Sequence, residues 1–151
     1  MMNNAMLVVT TQADGHQSGC LVGFSTQVGI NPPRFLVDMS QTNHTFRVAA
    51  RSDHLAVHLL SREDTDLAEL FGGETDDEID KFDHCAWHTG PEGMPILDDA
   101  VAWMVGRTLD RIDFGDHRGY VLQPVDGWYA ENEKDVIHFS DVIDVEPGHD
   151  P

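Results

Sequence analysis

Basic residues are scarce in this chain. Nine lysines and arginines stand against 27 aspartates and glutamates, for a net charge of −18. Such a surface lacks the cationic face that a phosphate backbone or an anionic headgroup requires. Nucleic acid and membranes are therefore excluded as expected partners. A phosphorylated small molecule would meet a repelling field, and would need local N–H donors and a few chosen cations. Cysteine is rarer still. Cys20 and Cys85 make no disulfide framework and suit a reducing compartment. No apolar run reaches the length of a bilayer span. Met1-Met2-Asn3-Asn4 has neither the basic start nor the apolar core of a signal peptide, so a cytoplasmic location is expected. Also missing are a P-loop, a G-x-S-x-G elbow and the G-x-G-x-x-G turn of a doubly wound sheet.

What is present suits one domain over residues 1–151: enough length for a sizeable core, with 40% hydrophobic residues. Residues 6–11 (M-L-V-V-T-T) are apolar and β-branched, which predicts a first strand. Asp14-Gly15 marks a hairpin turn into a second strand over 18–24. The chain then turns polar at Ser25, Thr26 and Gln27 and stops at Asn31-Pro32-Pro33. That pattern predicts a polar loop whose exit the prolines fix. Residues 34–39 form a third strand. Thr42 or Asn43 caps a helix from 44 to about 51, and 54–60 alternates as a strand. Ser61 is read as the cap of a second helix, with Leu67, Leu70 and Phe71 as its apolar stripe and Gly72-Gly73 as its stop. Residues 74–80 read as acidic surface and 91–99 as loop. Residues 100–112 and 117–125 read as strands around the turn Phe114-Gly115-Asp116, with a short last strand at 136–139. Antiparallel strands with two inserted helices predict a β-barrel of α+β character.

Several residues could carry chemistry, and each has a plainer reading. Small residues around 23–29 let backbone N–H groups approach a bound group, or they serve a turn between core strands. Asn43-His44-Thr45 at a helix start, with Arg47 one turn on, makes an anion pocket or a simple cap. Lys81 beside Phe82 is a rare cation in an acidic stretch, or a solvated lysine. His117 after Gly115-Asp116 is aimed into a cleft or sits at a tight turn. His84, Cys85 and His88 match no standard zinc spacing, so no metal site is expected. Cys85 next to His84 makes a poor nucleophile–base pair, because a base must reach the sulfur and be oriented by a third group.

Taken in order, residues 7–126 resemble the flavin reductase-like family, the FMN-binding split barrels. The resemblance rests on V-T-T at 9–11, a Gly-led strand and loop ending in P-P at 19–33, F-L-V at 35–37 and S-Q-T-N-H-T at 40–45. It continues with A-V-H-L-L at 56–60, L-A-E-L-F at 67–71, K-F at 81–82, P-I-L-D-D-A-V-A-W at 95–103 and G-D-H at 115–117. It implies a mainly β fold with inserted helices, an antiparallel split β-barrel, and a homodimer with FMN near the subunit interface. Gly23, Phe24, Ser25, Thr26 and Gln27 would line the flavin and its ribityl chain. Ser40, Gln41, Asn43, His44, Thr45 and Arg47 would hold the phosphate, and Lys81 and Phe82 would close one side. His117 would sit near the ring or the incoming nicotinamide and is the expected catalytic residue. The implied activity is that of an NAD(P)H:flavin oxidoreductase, with NADH or NADPH as co-substrate and a monooxygenase as a candidate partner. FAD or a deazaflavin stands as an alternative cofactor, and a flavin-binding protein without turnover as an alternative function. Three departures go with the resemblance, one of them a C-terminal region, 136–145, that is more acidic than usual. Only five residues precede Met6, which would remove wall material from the site or the dimer contact, and 21–24 is more apolar than the family's loop.

Overall fold

The computed structural model describes residues 2–73, 79–132 and 135–143. The first hairpin joins β1 (Leu7–Ala13) to β2 (His16–Val22), with Asp14 and Gly15 both at positive φ. Two successive residues with φ above zero twist a hairpin turn in the sense its strands need, and Asp-Gly supplies them cheaply. β3 (Ser25–Ile30) and β4 (Pro33–Ser40) form a second hairpin. Helix α1 (His44–Ala49) leads to β5 (His54–Leu59), and helix α2 (Thr65–Gly73) follows. A small hairpin of β6 (Trp87–Thr89) and β7 (Pro95–Leu97) precedes the long pair β8 (Ala102–Asp113) and β9 (His117–Tyr129). Seven strands make one antiparallel sheet in the order β2-β1-β5-β8-β9-β4-β3, which curls without closing; β6 and β7 pair separately. This is the mainly β split-barrel architecture expected from the sequence.

Four local expectations are corrected. Residues 25–30 are an edge strand rather than a loop, because the two-residue turn Asn31-Pro32 folds them back onto β4. Helix α2 starts at Thr65, not after Ser61; the Ser61 hydroxyl instead accepts the Glu63 N–H at 3.2 Å in a preceding turn. Residues 91–99 hold β7, whose three residues are too few for an alternating pattern to show. The last strand over 136–139 reduces to single bridges, Ser61 with Val136 and Ala5 with His138. The acidic residues 74–78 and the terminus 148–151 lie outside the described residues.

The core explains the uninterrupted apolar run of β1. Leu7 and Val9 point inward with Val22, Val37, Met39, Leu55, Tyr120 and Leu122. Met6 and Val8 point the other way, onto Ala68 and Phe71 of α2 and onto Leu60 and Leu97. A strand covered on both faces loses its alternation.

One polar group is sealed into this packing. His58 of β5 is fully buried; its Nδ1 donates to the Val8 carbonyl at 3.0 Å, and its Nε2 accepts the Leu97 N–H at 3.1 Å. Both ring nitrogens are used, so the neutral ring ties β1 to the β6–β7 hairpin. Burial lowers its pKa from 6.5 to about 4, against the Val8 bond, which raises it. The unfolded chain therefore takes up this proton first. The stabilisation is full above pH 6.5 and is lost as pH falls toward 4. The expected loss is about 3 kcal/mol over that window. Urea unfolding across it should show a steeper decline for the wild type than for His58→Leu; parallel slopes would count against the assignment.

Candidate functional site

The site is assembled by the two neighbours of β4. On one side the Asp38 N–H donates to the Phe24 carbonyl at 3.0 Å, and Ser25 pairs with Val37. On the other, Ser40 pairs with His117, and the Gln41 N–H donates to the Asp116 carbonyl at 3.0 Å. Phe24, Ser25, Ser40, Gln41 and His117 are thereby brought together. The Phe24 ring, 39% exposed, lies 5.1 Å from the His117 imidazole, tilted by 56°. His117 Nδ1 donates to the Asp116 carboxylate at 2.8 Å, and that bond holds the Asp116 pKa below the usual carboxylate range.

Asp38 belongs to the same surface. Val37 and Met39 face the core, so Asp38 faces outward with Leu36. It lies against the bare backbone of Gly119. A Cβ there would sit 2.8 Å from Asp38 Oδ1, 2.7 Å from Phe114 Cε2 and 3.0 Å from Leu36 Cδ1. Asp38 Oδ1 is buried with no hydrogen-bond partner. Burial raises its pKa, opposed by the nearby His117.

Helix α1 forms the adjoining rim. Asn43 caps it, its side-chain oxygen accepting the Thr45 N–H at 2.8 Å. His44 Nδ1 accepts an N–H of Arg47 at 2.9 Å, and His44 Nε2 lies 3.0 Å from Nε2 of His16. Arg111 donates to the Ala49 and Ser52 carbonyls at 3.4 and 3.0 Å, where cations suit the helix C-terminus. The Arg118 guanidinium stands 4.9 Å over the Phe46 ring, and Arg51 pairs with Asp14 at 3.0 Å. Four arginines of an anionic chain thus gather around one short helix.

Other expected residues lie apart from this surface. Lys81 is 3% exposed; its ammonium donates to the Gly19 and Phe71 carbonyls at 2.9 and 3.1 Å and lies over the Phe71 ring. Phe82 packs edge-on between Phe71 and Trp87. Both are core residues that fasten α2 to β2, so their side chains do not close an open site. Thr45 is buried, with its hydroxyl 2.8 Å from that of Ser18, and its side chain cannot reach a surface phosphate. Thr26 and Gln27 are exposed on β3, with side chains bonded along their own strand, to the Gln27 and Gly29 carbonyls. Gly23 gives its carbonyl to the Asn4 side chain at 3.3 Å. Away from the site, burial and then Asp80, Asp98 and Asp99 push the Cys85 thiol up to about 11, which suppresses the thiolate a nucleophile needs. His88 is hydrogen-bonded to Asp98. Asp38 was missed by sequence reasoning; its signal was a lone acid in the apolar run R-F-L-V-D-M.

An open antiparallel barrel with an aromatic-lined surface at β3, β4 and β9 defines a class. The chain belongs to the flavin reductase-like family: the model for the flavin reductase like domain matches residues 1–144. It is 31% identical over 113 residues to an FMN reductase (NADH) of Rhizobium rhizogenes, covering 75% of this chain and 65% of that protein. It is 27% identical over 116 residues to the reductase component of a flavin-dependent trigonelline monooxygenase of Acinetobacter baylyi, covering 77% and 36%. The chain thus spans less than two thirds of the length of either relative. Among solved structures, an FMN-binding protein from Thermus thermophilus matches with a TM-score of 0.81 at 25% identity, covering 86% of this chain and 72% of that one. Among the described residues, no helix is long and apolar enough to cross a membrane.

The buried ammonium generates a prediction. Lys81→Met removes the donor for two carbonyls and should lower unfolding stability by about 3 kcal/mol. Urea denaturation checks this; an unchanged midpoint would mean that Lys81 is not structural.

Proposed function

We propose that this chain is the flavin reductase of a two-component system, binding FMN and using NADH or NADPH. The observation that carries the reading is the Phe24–His117 pair seated beside Ser40 and Gln41 and next to an arginine-ringed helix. The residues fit the group. The exposed Phe24 ring suits contact with an isoalloxazine, and Arg47 and His44 suit a phosphate in an otherwise repelling field. FMN, when bound, supplies the hydride acceptor. Phe24 and His117 would orient the ring, with Ser25 alongside. Ser40, Gln41, His44 and Arg47 would lie toward the phosphate end, with Asn43 capping the helix they flank. No acid–base triad is required of the protein.

The same reading includes a homodimer. Val28, Ile30, Phe114, Trp128 and Tyr129 are exposed on β3 and around the β8–β9 hairpin, Ile30 at 84% and Tyr129 at 77%. Large apolar side chains held in water favour a partner surface. A monooxygenase that consumes the reduced flavin is the proposed partner, supported by the Acinetobacter relative, the reductase component of such an enzyme. Cys20 and Cys85 are not joined in a disulfide, in keeping with a cytoplasmic setting.

The test is anaerobic NADH and NADPH oxidation with added FMN, alongside the visible spectrum of the purified protein. FMN-dependent oxidation above background is expected. Background rates with both nicotinamides, despite bound flavin, would overturn the reductase assignment. Phe24→Ala should weaken FMN binding about tenfold through the lost aromatic contact, read by flavin fluorescence quenching.

A further inference from the structure

The fold treats the two ring nitrogens of His117 differently. Nδ1 donates to the Asp116 carboxylate at 2.8 Å. Nε2 makes no hydrogen bond among the described residues, and it is not one of the sealed side-chain atoms without a partner, which are Asp38 Oδ1, Thr108 Oγ1 and Tyr120 OH. It is therefore open to solvent, on a side chain that is 20% exposed. The bond at Nδ1 turns Nε2 away from Asp116 and, in the neutral ring, leaves Nε2 with the lone pair. Asp116 is itself held in place. Its carbonyl accepts the Gln41 N–H at 3.0 Å, and Gly115 before it makes the tight turn at φ 83°. The other acid of this turn, Asp113, is taken by Arg118 at 2.8 Å and by the Gln41 side chain at 3.4 Å. That leaves Asp116 to the imidazole, which rests against the Phe24 ring on its other side.

We propose that Asp116 is a positioning residue: it fixes the His117 ring so that Nε2 stands outward as the acceptor for an in-plane N–H of the bound flavin or nicotinamide. The proposal rests on the flavin and nicotinamide reading above. The Asp116 side chain is 65% exposed, so it orients the imidazole rather than filling the core. Without that carboxylate the ring has two ways to lose the outward acceptor. Its proton can move to Nε2, which makes Nε2 a donor. The ring can also turn over about its Cβ–Cγ bond, which puts a carbon where Nε2 stood. In either case a ligand N–H that met a lone pair would be left unmatched.

The experiment compares the full-length wild type with Asp116→Ala, Asp116→Asn, His117→Ala and the double variant Asp116→Ala/His117→Ala. Long-range proton–nitrogen NMR of the flavin-free protein reads which nitrogen of the neutral His117 ring carries the proton. It should be Nδ1 in the wild type, and Nε2 or a mixture in Asp116→Ala. FMN titration by fluorescence and NADH titration of the FMN-loaded protein then read the consequence. Asp116→Ala and His117→Ala should each lose about tenfold in affinity at the same step. The double variant should lose no more than His117→Ala alone, because one residue acts through the other. Asp116→Asn, whose side-chain oxygen can still accept from Nδ1, should retain most of the affinity. Loss at the FMN step places Nε2 on the flavin; loss confined to NADH places it on the nicotinamide. An unchanged tautomer in Asp116→Ala, additive losses in the double variant, or wild-type affinities throughout overturn the proposal. Equal losses in Asp116→Asn and Asp116→Ala would trace the effect to charge alone and overturn it too. So would an alanine variant that fails to fold, which makes Asp116 structural. In each of those cases FMN-dependent NADH oxidation by the wild type leaves the proposed function standing. A wild type that binds neither ligand overturns both.

Discussion

The double pairing of β4 is the constraint on which the site depends. β4 is hydrogen-bonded to β3 along one edge and to β9 along the other. Side chains alternate along a strand, so its register decides which of them meet the core. With Val37 against Tyr120 and Met39 against Arg118, the apolar residues Val37 and Met39 go inward, and Leu36 and Asp38 are left outside. A slip by one residue would bury the carboxylate and expose the valine and methionine. The hydrophobic pattern that builds the core therefore also brings Phe24, Asp38, Ser40 and His117 onto one surface. Two short turns pin that register from both ends. Asn31-Pro32 closes β3 onto β4, and the Phe114 N–H, donating to the His117 carbonyl at 2.8 Å, closes β8 onto β9.

Charge is distributed with the same economy. A chain of net charge −18 cannot attract a phosphorylated ligand by its overall field, only by local concentration of its few cations. Arg47, Arg51, Arg111 and Arg118 all lie on or against α1. Two of them also hold structure, Arg111 at the helix C-terminus and Arg118 over Phe46. Arg118 is in turn hydrogen-bonded to Asp113 at 2.8 Å, which raises its pKa further and keeps it charged. Lys81 shows the opposite use of a cation. Buried and bonded to two carbonyls, it acts as a clamp between β2 and α2.

Most of the fold was legible in the sequence, because most of its strands carry a local signal. Asp14-Gly15 announced the first hairpin, the β-branched run announced β1, and apolar stretches announced β4 and β5. What was misread has physical causes. β3 looked like a loop because an exposed edge strand buries little and so need not alternate; Ser25, Thr26 and Gln27 are polar for that reason. β7 was too short to show a period. The site was legible only in part. Ser40, Gln41 and His117 are brought together by strand pairing alone. Lys81, Phe82 and Thr45 look polar or functional in sequence yet prove to be packing residues. Whether a lysine is solvated or clamped depends on which carbonyls the fold brings to it from Gly19 and Phe71, far away in the chain. Asp38 was overlooked for the converse reason: a single acid in an apolar strand becomes informative only when its neighbours are known to leave it unpaired.

His58 and Asp38 make the contrast that separates scaffold from site. Both are titratable groups that burial pushes toward the neutral form. His58 uses both ring nitrogens on backbone partners, so its desolvation is offset within the fold and the ring joins three strands. Asp38 has an oxygen that no group of the fold meets, only two residues from Ser40 and beside an imidazole already turned to another acid. A satisfied buried polar group specifies structure; an unsatisfied one raises the free energy of the empty state.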